Sequence, residues 1–309
     1  MDIKPGTIIA NYCKIERRIS QDGGMALVYL ATKLTDPKLK LVVKFARTGN
    51  DGPSHEDKLL ERESTLLQKW DWRHPGIVRL YPIERDDSDA VYRLKALQVK
   101  NDPYFIVMEF LRGETLDKNI PAIKSYPLEW KLELFYQILQ AVSFMHQKGY
   151  GHRDIKPANI VFRIPTSPDQ IPQPVLIDFA LACLDSDGSE IVKSSYTLEY
   201  VSPERFLSST GMVKDMPLFA RESDIWSLGV MFYEIITGEH LFKGSERSIR
   251  TTLIEGTFKS KIQDIYQARP MLSKFARWML QEDPKKRPAI KELIYAIEET
   301  FPPPRIRVT

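Results

Sequence analysis

Residues 127–149 carry Leu128, Trp130, Leu132, Leu134, Phe135, Ile138, Leu139, Val142 and Met145 at spacings that cover most of a helix surface. A helix that is apolar nearly all round belongs inside a large helical body, so this stretch predicts one around it. It delivers the chain to His152-Arg153-Asp154-Ile155-Lys156-Pro157-Ala158-Asn159, which sets an acid, a base and an amide on one short loop. A curled loop can aim Asp154 at a reacting hydroxyl and Asn159 at a metal ion, with the Lys156 ammonium between them to hold a phosphate.

The first third of the chain reads differently. Over residues 8–41, β-branched and aromatic residues are interrupted by Gly23-Gly24 and by Thr35-Asp36-Pro37, a pattern of strand, turn and strand. Leu41-Val42-Val43-Lys44 predicts a short buried strand ending in a lysine, and Phe105-Ile106-Val107-Met108 predicts another. Between them, residues 56–70 place Leu59, Leu60, Leu66 and Leu67 at helical spacing among Glu, Lys and Arg, the mark of an amphipathic helix. The polar residues 86–102 predict a long hairpin. Beyond Asn159, Ile160-Val161-Phe162 and Val175-Leu176-Ile177 read as two short strands, separated by a loop that Pro165, Pro168, Pro172 and Pro174 stiffen. The predicted class is α+β, with an antiparallel sheet first and a larger, mainly helical part after it.

The stretch at residues 152–159 resembles the catalytic loop of the eukaryotic-type (Hanks-type) serine/threonine protein kinases. Eight motifs stand in that family's order, the resemblance runs from about Asn11 to Ile297, and the Gly23-Gly24-Met25 triplet is similar to bacterial members. It implies a bilobal fold: residues 1–108 as an N-terminal ATP-binding lobe, 109–113 as a hinge, 114–300 as a catalytic and substrate lobe, and 301–309 as a tail or linker.

The resemblance also implies roles. Gln21, Gly23, Gly24, Ala26 and Val28 form the glycine-rich loop over the phosphates of ATP, with Gln21 and Ala26 standing where the family has glycines. Lys44 reaches the α and β phosphates, and Val42 replaces the usual alanine above the adenine. Glu63 partners Lys44, with Glu61 as the rival because the interval to His74-Pro75 is longer than usual. Met108 guards the back of the adenine pocket, the backbone of Glu109 and Leu111 bonds the adenine edge, and Val161 joins the nucleotide-binding positions. Asp154 orients the acceptor hydroxyl and accepts its proton late, Lys156 stabilises charge on the transferred group, and Asn159 and Asp178 hold Mg2+ through oxygen. Asp178-Phe179-Ala180 has alanine where the family has glycine, which would cost about 1 to 2 kcal/mol if the backbone took positive φ there. Residues 186–196 form the activation loop, where a phosphate on Ser194 or Ser195 would pair with Arg153. Thr197 faces the substrate, Ser202-Pro203-Glu204 is anchored by Arg287, and Asp224 braces the catalytic loop.

Composition narrows the alternatives. With 43% apolar and 28% charged residues the chain is an ordinary soluble globular protein, and a net charge of +3 is too mild for a nucleic-acid binder. Cys13 and Cys183 are the only cysteines and lie far apart, which excludes a disulfide framework or a cysteine-built zinc site and fits a reducing, cytoplasmic setting. The longest apolar runs, such as residues 229–233, are too short to span a membrane. Pro302-Pro303-Pro304 suits a stiff exit into a linker. The expected function is transfer of the γ-phosphoryl group of Mg-ATP to a serine or threonine hydroxyl of a protein substrate. Lys156-Pro157 after the aspartate marks the serine/threonine class, and the sequence sets no oligomeric state. One alternative is a pseudokinase scaffold that binds nucleotide without efficient catalysis, motivated by Gln21, Ala26 and Ala180. The other is a small-molecule kinase, against which Thr197 and Ser202-Pro203-Glu204 argue.

Overall fold

A computed structural model describes residues 2–19, 26–47, 54–70, 73–84, 91–164, 171–184, 186, 197–209, 219–268 and 270–300. The chain divides into two compact units between Leu111 and Arg112.

Unit one is built on an antiparallel sheet of β1 (Ile8–Ile9), β2 (Cys13–Arg18), β3 (Ala26–Lys33), β4 (Lys40–Ala46), β5 (Leu80–Tyr81), β6 (Leu94–Lys95) and β7 (Tyr104–Glu109). The strand order is β1-β2-β3-β4-β7-β5, with β6 also paired to β7. Successive side chains on a strand point to opposite faces. Tyr29, Ala31, Leu41, Val43, Phe45, Phe105 and Val107 therefore share one face and form a core with no solvent exposure. The other face takes Val28 beside Lys44 and Val42 beside Met108, as the pairing register dictates. Strand β4 runs longer than the predicted 41–44. Of the predicted 86–102 hairpin, the structure describes the bridge from Ile83 to Val91 and strand β6, while residues 85–90 lie outside the described residues.

Helix α1 (His55–Trp70) starts on a reciprocal cap. The Ser54 N–H donates to Asp57 Oδ2 at 2.7 Å, and the Asp57 N–H donates to Ser54 Oγ at 3.2 Å. Two of the orphan N–H groups at the helix start are satisfied in this way. The helix buries Leu59, Leu60, Leu66 and Leu67, and Glu63 lies in the same stripe.

Unit two is mainly helical: α2 (Leu116–Ile123), α3 (Leu128–His146), α4 (Pro203–Ser209), α5 (Ala220–Thr237), α6 (Glu246–Glu255), α7 (Phe258–Ala268), α8 (Pro270–Met279) and α9 (Ile290–Thr300). The apolar positions that predicted α3 are buried, except for the half-buried Leu128 in its first turn. Phe135 of α3 meets Phe232 of α5 with ring centroids 4.9 Å apart. Truncating an aromatic packed like this to alanine costs about 3 to 5 kcal/mol. Short strands frame one end of α3: β8 (Tyr150–Gly151) pairs with β11 (Cys183–Leu184), and β9 (Ile160–Phe162) with β10 (Pro174–Leu176). Pro174, expected in the loop, is instead the first residue of β10, a place where a strand tolerates the missing N–H. Among the described residues no helix is long and apolar enough to cross a membrane.

Candidate active site

Residues 152–159 run from the end of β8 to the start of β9. At Gly151 a Cβ would lie 2.5 Å from the backbone carbon of Ala220, so only glycine lets the loop approach α5 this closely. Asp224 of α5 is fully buried and uses that approach. Its Oδ2 accepts from the His152 N–H and its Oδ1 from the Arg153 N–H, both at 2.7 Å, and His146 Nε2 lies 2.9 Å from Oδ2. His152 fixes the next step. Its Nδ1 accepts from the Asp154 N–H at 3.3 Å, so Nε2 carries the ring proton and donates to the Ile177 carbonyl at 3.0 Å.

The four residues predicted to be catalytic meet in one hydrogen-bonded cluster. Lys156 Nζ lies 2.8 Å from Asp154 Oδ2 and donates to Thr197 Oγ1, also at 2.8 Å. The Thr197 hydroxyl lies 3.4 Å from Asp154 Oδ1. Asn159 Nδ2 donates to the Asp154 carbonyl at 2.8 Å and to Asp154 Oδ2 at 2.9 Å. Asn159 thus spends its amide nitrogen on Asp154, and its side-chain oxygen accepts no hydrogen bond among the described residues. The Ile177 N–H donates to the Asn159 carbonyl at 3.0 Å, continuing the β9–β10 register and bringing Asp178 one residue beyond Asn159. Carboxamide and carboxylate oxygens are the ligand type that a hard divalent cation prefers.

Two of the seven non-glycine residues with positive φ among the described residues lie here. Arg153 has φ 67° and Asp178 has φ 63°. Each costs about 1 to 2 kcal/mol relative to ordinary backbone, strain that folded structures keep at functional sites. Ala180 does not take positive φ; in this motif it falls on Asp178, a residue type whose short polar side chain tolerates it. Ala180 is buried and carries no such penalty, which removes one of the three reasons for a pseudokinase. Phe179 is fully buried against His152, ring centroids 5.0 Å apart.

In unit one, Lys44 Nζ donates to Glu63 Oε2 at 2.7 Å, with Glu63 wholly buried. Glu61 is exposed and pairs with Arg93, so the helix register selects Glu63 over its rival. Ala26, Val28 and Val42 are half-buried and Met108 is buried. Glu109 is the last residue of β7, and its N–H already donates to the Arg79 carbonyl at 3.0 Å. Leu111, beyond the strand, makes no hydrogen bond among the described residues. In unit two, Val161 is half-buried in β9, paired with Val175. Gln21, Gly23, Gly24, Ser194 and Ser195 lie outside the described residues.

Two further arrangements were not legible in the sequence. The buried Tyr200 hydroxyl donates to Glu234 Oε2 at 2.6 Å, and His240 Nε2 lies 3.1 Å from Glu234 Oε1. Burial raises the Glu234 carboxyl and outweighs the Tyr200 bond and His240, which pull the other way. Arg205 of α4 donates to the carbonyl of Arg153. Neither pairing leaves a periodic signal, because each joins residues from distant segments.

Fold and site together define a protein kinase domain. The chain belongs to the protein kinase domain family, which it matches over residues 16–296. It is 29% identical over 293 residues to the serine/threonine-protein kinase RAD53 of Saccharomyces cerevisiae, covering 91% of this chain and 32% of that protein. It is also 29% identical over 229 residues to the serine/threonine-protein kinase PrkC of Bacillus subtilis, covering 74% of this chain and 31% of that protein. The crystal structure of Rad53 in complex with AMP-PNP matches with a TM-score of 0.65 at 25% identity, over 91% of this chain and 64% of that one. The chain thus spans less than a third of the length of these curated relatives.

Proposed function

We propose that this chain is an active serine/threonine protein kinase domain, transferring the γ-phosphoryl group of Mg-ATP to a serine or threonine hydroxyl of a protein. The observation that carries the reading is the Asp154 carboxylate, held between Lys156, Asn159 and the Thr197 hydroxyl. In the reaction a bond forms between the acceptor oxygen and the γ phosphorus, the bond from that phosphorus to the β–γ bridging oxygen breaks, and ADP leaves. Asp154 orients the acceptor hydroxyl and takes its proton, and Lys156 balances charge on the group in transit. The rest is positioning, since phosphoryl transfer asks little covalent work of a protein.

Magnesium bound with the nucleotide would neutralise charge on the phosphate oxygens, and Asn159 and Asp178 are the residues to hold it. Residues 1–108 take the nucleotide-binding role. Lys44, kept in place by Glu63, holds the α and β phosphates. Gln21, Gly23, Gly24, Ala26 and Val28 cover them, and Val42, Met108 and the backbone of Glu109 and Leu111 take the base, while Val161 of unit two keeps its own proposed nucleotide-binding role. For Glu109 the carbonyl is the group in question, since its N–H is engaged. The AMP-PNP bound to Rad53 supports a nucleotide of this type. Residues 114–300 take the catalytic and substrate role, Thr197 facing the acceptor segment, and 301–309 form the tail.

Control through a phosphate on Ser194 or Ser195 fits Arg153. Its guanidinium is buried, has Nη1 3.7 Å from Cys183 Sγ, and has no hydrogen-bond partner for Nη2 among the described residues. A reducing, cytoplasmic setting is supported by two free, buried cysteines. Burial pushes the Cys13 thiol up to about 12, which keeps it inert at neutral pH.

The test is incubation with Mg-ATP and a basic protein, with phosphosites mapped by mass spectrometry and Asp178→Asn as control. Phosphoserine or phosphothreonine that disappears in the variant is expected. Nucleotide binding without any transfer would favour the scaffold reading instead.

A further inference from the structure

Arg205 sits in α4 directly after Glu204, with only 7% of its surface exposed, and none of the steps above uses it. Its guanidinium is costly to place there: burial, and then the neighbouring Arg153 cation, pull its pKa down to about 10. An arginine held in so unfavourable a setting calls for a compensating role, and its contact supplies one. Arg205 Nη1 donates to the Arg153 carbonyl.

That carbonyl belongs to the peptide group that joins Arg153 to Asp154. The peptide group before Arg153 is fixed by Asp224, which accepts the Arg153 N–H at 2.7 Å. The peptide group after it has its N–H on His152 Nδ1 at a long 3.3 Å, and its oxygen on Arg205. Arg153 itself stands at φ 67°, a conformation the chain does not keep unless its surroundings impose it. The plane of the peptide group after Arg153 sets the direction in which the Asp154 side chain leaves the backbone. Arg205 is also held firmly, because Glu204 beside it is bound by both terminal nitrogens of Arg287 at 2.7 Å.

We propose that Arg205 is a positioning residue: from α4 it clamps the Arg153 carbonyl, as Asp224 from α5 clamps the Arg153 N–H, and the two together aim the Asp154 carboxylate. The kinetic part of this inference rests on Asp154 being the base proposed above; the structural part does not.

The test compares wild type, Arg205→Met and Arg205→Lys in the full chain by steady-state kinetics and by hydrogen exchange of peptic fragments. In R205M, kcat is expected to fall about tenfold to a hundredfold, the scale on which a misplaced catalytic group is felt, with KM for ATP unchanged within about twofold. Exchange should quicken in fragments covering residues 152–156, and not in those covering α3 or β4. R205K keeps a donor but loses the planar fork, so it should fall between wild type and R205M in both readouts. If R205M does not fold, R205K decides by the same exchange pattern. Loop exchange equal to wild type, or exchange quickened throughout residues 112–300, overturns the clamp. A wild-type protein that transfers no phosphate would defeat the proposed function, and the exchange comparison would still judge the clamp.

Discussion

Glu204 and Arg287, 83 positions apart in the chain, meet through two 2.7 Å hydrogen bonds, each terminal guanidinium nitrogen on its own carboxylate oxygen. Arg287 spends its remaining donors on the carbonyls of Gln281, Glu222 and Glu282, and its guanidinium lies 5.2 Å from the centre of the Trp226 ring. A buried ion pair is worth keeping only when its other hydrogen-bonding groups are satisfied, as they are here. It ties the segment after Thr197 to the far end of the helical unit.

Burial pushes the Glu204 carboxyl up, but Arg287 outweighs it and the net shift is downward. With the folded pKa below the unfolded one, the stabilisation is present above the ordinary glutamate value, about 4.3, and is lost as pH falls through the depressed value. Glu204→Gln is expected to lower the unfolding free energy by about 3 to 5 kcal/mol at neutral pH, with the gap to wild type closing in acid. Urea denaturation at several pH values checks this; a gap independent of pH would count against it.

Glu63→Gln should weaken ATP binding and activity by roughly tenfold to a hundredfold, since it removes a charged hydrogen bond inside unit one. Glu61→Gln breaks only the exposed pair with Arg93, a bond worth at most about 1 kcal/mol, and should leave both within about threefold. Nucleotide titration of the two variants side by side decides the matter.

The choice between these two glutamates shows where the sequence was sufficient. Glu63 falls within the stripe of Leu59, Leu60, Leu66 and Leu67, at helical spacing from all four, whereas Glu61 lies off it. The periodicity already contained the answer that motif spacing left open. The core helix α3 was legible for the same reason, and the order of the motifs gave the cluster around Asp154. Backbone conformation was not legible. Which residue of Asp178-Phe179-Ala180 takes positive φ depends on how the β9–β10 hairpin ends and how Phe179 packs against His152, and neither has a local signature. The Arg205 clamp and the Tyr200–Glu234 bond were hidden because they depend on contacts between segments far apart in sequence.

Ala180→Gly should not speed catalysis. Because Ala180 lacks positive φ, glycine relieves nothing there and only adds freedom to the unfolded chain, for a loss of about 0.5 to 1 kcal/mol in stability. Thermal melts and initial rates measured together check both halves; a clear gain in rate would show that the alanine restrains the enzyme.

Asp224→Ala should be severe, because it strands the N–H groups of His152 and Arg153, both buried. Each unsatisfied group costs about 1 to 3 kcal/mol, so a loss of several kcal/mol in stability is expected, together with the catalytic activity. A variant that melts like wild type would mean that the loop does not depend on α5.

The claim on which the rest depends is that Asp154 accepts a proton during phosphoryl transfer. The most direct measurement is the single-turnover rate of transfer from γ-labelled ATP, with saturating magnesium, to a serine-containing basic protein, for wild type and Asp154→Asn. The expected result is transfer by wild type, slowed by about two to four orders of magnitude in the variant, with ATP affinity unchanged. Equal rates in the two proteins, or no transfer by a wild-type protein that binds ATP, would contradict it.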